Sequence, residues 1–85
     1  MVQSYGETIF EAGSPGNHVF VVVTGRVLFF TEGILVGFCT SGETFGQGAV
    51  LEQRCYNTTA VADCQGLTCL ALSKEDMTFI RDEFA

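Results

Sequence analysis

The chain has 85 residues, of which 47% are hydrophobic and 16% charged, and it carries a formal net charge of −6 at pH 7. That length holds one domain, and the composition suits a folded core rather than a disordered segment. Its cations, Arg26, Arg54, Lys74 and Arg81, are scattered along the chain, which excludes the basic stripe that nucleic acid or an anionic membrane surface requires.

No apolar run approaches the roughly 20 residues of a membrane-spanning helix. The N-terminus has neither the basic start nor the apolar stretch of a secretory signal, so a cytoplasmic location is expected. Turn residues then punctuate the chain at short intervals: Gly6, Gly13-Ser14-Pro15-Gly16-Asn17, Thr24-Gly25, Glu32-Gly33, Ser41-Gly42 and Gln65-Gly66. Between them, strands are predicted over Thr8–Ala12, Val19–Val23, Val27–Thr31, Ile34–Thr40, Thr58–Asp63 and Leu67–Leu72. Many short strands at such spacing indicate a mainly β fold, a sandwich or barrel.

Two stretches depart from this pattern. Gly46–Gln53 carries Ala49, Val50, Leu51 and Glu52 without alternation, which fits one or two helical turns. At the C-terminus, Ser73 with Asp76 three residues on reads as a capping-box-like start. Met77, Ile80 and Phe84 follow at helical spacing, so Ser73–Ala85 is expected to be an amphipathic helix laid against the barrel. The chain ends inside this helix with no Gly or Asn stop signal, so residues 1–85 are expected to be one domain within a longer protein.

Cys39, Cys55, Cys64 and Cys69 contain no C-x-x-C pair, and His18 is the sole histidine. Buried, unoxidised thiols are expected rather than disulfides or a metal site. One histidine builds neither the metal cluster of a cupin-type barrel nor a nucleophile–base pair, so the segment is expected to be non-catalytic. His18 itself is expected to face solvent in a turn. The acidic pairs Glu75-Asp76 and Asp82-Glu83 read as a solvated helix face.

Residues 45–63, FGQGAVLEQRCYNTTAVAD, carry the most chemistry. Gly46 and Gly48 let backbone approach a ligand closely, and the first amides of a short helix point outward unpaired. Such amides favour an anion, although glycine-rich turns before a helical turn are common without one.

The chain resembles the cyclic-nucleotide-binding domains of cAMP- or cGMP-dependent protein kinases. The opening GETIFEAGSPGNHVFVVVTGRV matches that family's first strands through Gly6, Gly13, Gly16, Phe20 and Gly25. Residues 45–63 are similar to its phosphate-binding cassette, F-G-E-[LI]-A-L-L followed by R-[TAS]-A-[ST]-V. LTCLAL and SKEDMTFIRDEF follow at the family's spacing. The resemblance implies a jelly-roll-like β-roll with a short cassette helix and a C-terminal helix. It also implies a regulatory function without a cofactor, cAMP or cGMP as ligand, and further domains of the same chain as partners.

The cassette is degenerate in this comparison. Phe45, Gly46, Ala49 and Leu51 match, but Gln47 stands where the resemblance implies a ribose-binding Glu, and Gly48 replaces an aliphatic residue. Anchoring on Val61 places Asn57 at the phosphate-binding Arg, with Thr58 and Thr59 following; a shift of one residue places Tyr56 there instead. Loss of a charge-assisted hydrogen bond of about 1.5–3 kcal/mol weakens phosphate binding roughly 10- to 200-fold. Arg54 is the candidate compensating cation. Thr58 follows the Arg position, where cGMP-selective members carry a Thr, but it also suits a strand by β-propensity alone. Two readings stay open: a regulatory domain with weakened or lost nucleotide binding, or a divergent channel or docking domain that binds none.

Overall fold

The computed structural model describes residues 2–76. Eight strands and one short helix follow in the order β1 (Val2–Gln3), β2 (Thr8–Phe10), β3 (His18–Thr24), β4 (Arg26–Thr31), β5 (Ile34–Thr40), β6 (Thr44–Phe45), α1 (Gln47–Leu51), β7 (Thr59–Ala62) and β8 (Leu67–Ser73). They form two four-stranded antiparallel sheets with the orders β1-β8-β3-β6 and β2-β7-β4-β5. This is the mainly β, jelly-roll-like architecture expected.

The longest pairing joins β3 to β8, from His18 opposite Ser73 to Val22 opposite Cys69. In the other sheet β4 is central, with Val27 to Phe30 opposite Ala62 to Thr59 and Arg26 to Thr31 opposite Thr40 to Ile34. The β4–β5 hairpin closes through Glu32 (φ 51°) and Gly33 (φ 79°). Two consecutive positive φ angles suit the right-handed twist of the flanking strands.

The core lies between the sheets. Val19, Val22, Val27, Ala60, Ala62, Leu67 and Cys69 are buried, and Phe20, Phe45 and Tyr56 join them toward the α1 side. On β7 and the start of β8 alternate residues point inward, as half-buried strands require. By contrast β5 stands at a sheet edge with Ile34, Leu35, Val36 and Phe38 exposed. Arg26, at the start of β4, forms an ion pair with Asp63, just past the end of β7, which ties these ends together.

Several boundaries differ from expectation; β7, for one, spans Thr59–Ala62 and leaves out Thr58 and Asp63. β1 and β6 span two residues each, too short for alternation to register. β2 ends at Phe10 because the Ala12 N–H leaves the ladder and donates to the Thr59 side-chain oxygen at 3.1 Å. His18 opens β3 as an exposed strand residue rather than lying in the turn. Only Cys69 of the four thiols is fully buried; Cys39 and Cys64 are half-buried and Cys55 is exposed. Cys55 faces outward because it lies on the loop after α1, not on an inward strand face.

At the C-terminal side, the capping box forms. The Asp76 N–H donates to the Ser73 hydroxyl at 3.2 Å, and the Ser73 N–H donates to the Asp76 carboxylate at 3.0 Å. The hydrogen bond from the Ser73 backbone holds the Asp76 carboxyl below the usual range. Residues 74–76 are helical. The remainder of the expected helix, with Met77, Ile80 and Phe84, lies outside the described residues. No helix among the described residues is long and apolar enough to cross a membrane.

Candidate ligand site beside the short helix

The sequence from Thr44 to Asn57 folds back on itself beside one end of the barrel. Phe45 is the last residue of β6 and pairs with Phe20 of β3; their rings stack at 5.2 Å. Phe29 meets Phe45 edge-on at 5.3 Å, and Phe10 lies 5.9 Å from it. These aromatic rings form an apolar floor.

Above that floor Gly46 turns the chain into α1. Its φ of 87° is left-handed, a conformation that only glycine adopts readily. A side chain there would also crowd the His18 carbonyl at 3.1 Å and the Tyr56 ring at 3.3 Å. α1 then runs from Gln47 to Leu51, burying Ala49 and Val50, with no side-chain cap at its start. After Glu52, Gln53 (φ 55°) reverses the chain. The Arg54 N–H donates to the Ala49 carbonyl at 2.9 Å, and the Gly16 N–H donates to the Arg54 carbonyl at 3.1 Å. The returning strand of the loop is thus held from both sides.

Tyr56 completes this return. Its ring stacks on Phe10 at 3.8 Å with planes 9° apart. Its hydroxyl donates to the His18 carbonyl at 2.6 Å and accepts from the His18 N–H at 3.1 Å. Tyr56 is therefore an internal strut that ties the loop to β3 and β2.

A cavity of about 290 Å³ opens between these parts, lined by Thr44–Ala49, Phe10, Phe29, Arg54, Tyr56, Asn57 and Thr58. This volume sits at the lower end of the roughly 300–1,000 Å³ typical of small-molecule sites. The fold brings together Phe45, Gly46, Gln47, Gly48, Ala49, Asn57, Thr58 and Arg54 from the residues singled out in the sequence. It does not bring in Thr59, whose hydroxyl is engaged by Ala12 within the β2–β7 edge. Phe10, Phe29 and Thr44 were missed. Phe29 shares a strand face with buried Val27, two residues away, and that alternation was its available signal.

Arg54 occupies the wall of the cavity. Its Nε donates to the Glu52 carboxylate at 2.6 Å, with both side chains about half exposed. One guanidinium nitrogen (Nη2) lies 3.1 Å from where a Cβ on Gly48 would stand. A second cavity, of about 320 Å³, is lined by Pro15, Gly16, Asn17, Val50, Gln53, Arg54, Cys55 and Lys74. It contains no residue of the aromatic floor. Among the described residues, no three His, Cys, Asp or Glu side chains are grouped to hold a metal ion.

Comparison with known proteins bears on this site. Residues 4–83 match the model of the cyclic nucleotide-binding domain. The chain is 36% identical over 63 residues to the cGMP-dependent protein kinase egl-4 of Caenorhabditis elegans, covering 74% of this chain and 8% of that one. It is 31% identical over 71 residues to a cAMP-dependent protein kinase regulatory subunit of Debaryomyces hansenii, covering 82% of this chain and 16% of the other. The chain thus spans a small part of the curated relatives it matches. Among solved structures, the Thermus thermophilus catabolite activator protein superimposes with a TM-score of 0.85 at 28% identity, over 98% of this chain and 41% of that protein.

Proposed function

The chain belongs to the cyclic nucleotide-binding domain family, and from that membership we propose that it is a non-catalytic regulatory module of a cytoplasmic cyclic-nucleotide-dependent protein kinase whose own cavity takes cAMP or cGMP weakly. Its partners are then the other domains of the same chain, further nucleotide-binding copies and the kinase domain. The observation that carries this reading is the composition of the cavity wall. Gly46–Ala49 face Asn57 and Thr58 over an aromatic floor, so the place for a nucleotide is kept while position 57 holds an amide in place of a cation. Gln47 still offers an acceptor to a ribose hydroxyl, without the charge that strengthens such a bond. Thr58 lines the same wall, and its likeness to the Thr of cGMP-selective members supports cGMP over cAMP.

A second reading has support from the same joint change at Gln47 and Asn57: a divergent docking or channel-type module that binds no nucleotide. Calorimetric titration of the chain with cAMP and with cGMP separates the two. Weak binding is expected, with Asn57→Arg tightening it roughly 10- to 200-fold. Submicromolar binding by the unchanged chain would overturn the proposed weakness. Absence of binding at millimolar nucleotide, by both the chain and Asn57→Arg, would leave the docking reading in its place.

A further inference from the structure

The chain is acidic overall, with ten Asp and Glu against four Lys and Arg. Yet no carboxylate lines the cavity beside α1, and the one charged residue among its described lining is Arg54. We propose that Arg54 is the anion-binding cation of this cavity, admitted to it by the missing side chain at Gly48, and that Glu52 competes with the ligand for the same guanidinium. This rests on the reading of the cavity as a nucleotide site, and it assigns the phosphate's counter-charge to a residue outside the usual position.

Three observations support the assignment. The backbone of Arg54 is fixed by hydrogen bonds to Ala49 on one side and Gly16 on the other, so its side chain starts from a defined point. From there the guanidinium lies against α1, with Nη2 3.1 Å from the place of a residue-48 Cβ. That spacing is tighter than ordinary contact, so a side chain at 48 requires the guanidinium to give way. Gly48 and Arg54 therefore work as a pair: the small residue makes the room, and the long one uses it. Arg26 is engaged by Asp63 at the far end of β7, and Lys74 lines the other cavity.

Glu52 sets the strength of the site. Its carboxylate takes Nε of Arg54 at 2.6 Å, an exposed pair that solvent screens and that contributes little. A phosphate entering the half-enclosed cavity has the remaining N–H groups of the planar fork to bond. The carboxylate nevertheless offsets the guanidinium charge, so its removal strengthens anion binding.

The test is calorimetric titration with cAMP and cGMP of the chain and of Arg54→Gln, Glu52→Gln, Gly48→Leu and Asn57→Arg, with the melting temperature of each variant checked first. Arg54→Gln is expected to weaken binding roughly tenfold or more. Glu52→Gln is expected to strengthen it severalfold, and the strengthened binding should be lost in Glu52→Gln/Arg54→Gln. Gly48→Leu restores an aliphatic residue yet should weaken binding, because it displaces the guanidinium. Equal binding by Arg54→Gln and the unchanged chain, or improved binding by Gly48→Leu, overturns the assignment while leaving the nucleotide site standing. If the unchanged chain binds too weakly to measure, Glu52→Gln must bring binding into range. Binding by Asn57→Arg but not by Glu52→Gln rejects Arg54 alone, and binding by neither rejects the site itself.

Discussion

Tyr56 and Asn57, adjacent in the chain, have very different surroundings. With a variable loop before them, the sequence leaves Tyr56 and Asn57 as rivals for one position, since a one-residue shift preserves every hydrophobic match. Their burial and hydrogen bonding differ. The Tyr56 hydroxyl satisfies both the N–H and the carbonyl of His18 and its ring lies flat on Phe10, whereas Asn57 is exposed on the cavity wall. Tyr56→Phe keeps the stacking and deletes the bridge, leaving a part-buried N–H without its partner. We expect a loss of about 1–2 kcal/mol in unfolding free energy, measured by urea denaturation at unchanged m-value. A change within about 0.3 kcal/mol would show that water replaces the hydroxyl at no cost. The contacts that fix Tyr56 come from residues far away in sequence, which is why the chain alone does not separate it from its neighbour.

Among the elements, burial rather than hydrophobicity sets the energetic ranking. β5 is as apolar as β3 in sequence, yet its large side chains are exposed at a sheet edge, while Leu67 at the start of β8 is fully buried. Leu67→Ala should therefore cost about 2–5 kcal/mol, and Phe38→Ser, at 61% exposure, should stay within about 0.5 kcal/mol. Comparable losses for the two would mean that β5 is covered in solution. The contrast also marks what patterning reveals. Strands of four residues or more were legible, because alternation and the turn residues bound them. The hairpin turn at Glu32-Gly33 was legible for the same reason. β1 and β6 were not, being two-residue pairings that depend on a partner strand elsewhere in the chain. The helical nature of α1 was legible from its lack of alternation, but the path of Arg54 across Gly48 was not, since it depends on the chain reversal at Gln53.

At the scale of the molecule, the four thiols sample different depths of one cooperative unit. Cys69 lies in the core, and burial pushes its thiol up; burial also raises Cys39, with the Glu43 charge adding to it. Cys55 sits exposed on the loop that borders the second cavity. Under native conditions a thiol-alkylating reagent should modify Cys55 quickly, while Cys69 reacts only when the whole barrel opens. A bound nucleotide stabilises the folded state by mass action, so it should slow modification of Cys69 and leave Cys55 unchanged. Equal rates at the two cysteines, checked by peptide mass spectrometry, would contradict a single cooperative core. The attachment of the α1 segment has a mechanical consequence of its own. Phe45, just before the loop, pairs with Phe20 of β3, and Tyr56 at the loop's other end bonds to the His18 backbone, so both ends of the loop that walls the cavity hang from the start of β3. His18 in turn faces Ser73, whose hydroxyl accepts from the Asp76 N–H. Any displacement of the loop is therefore delivered to the first rung of the β3–β8 ladder, where His18 stands opposite Ser73.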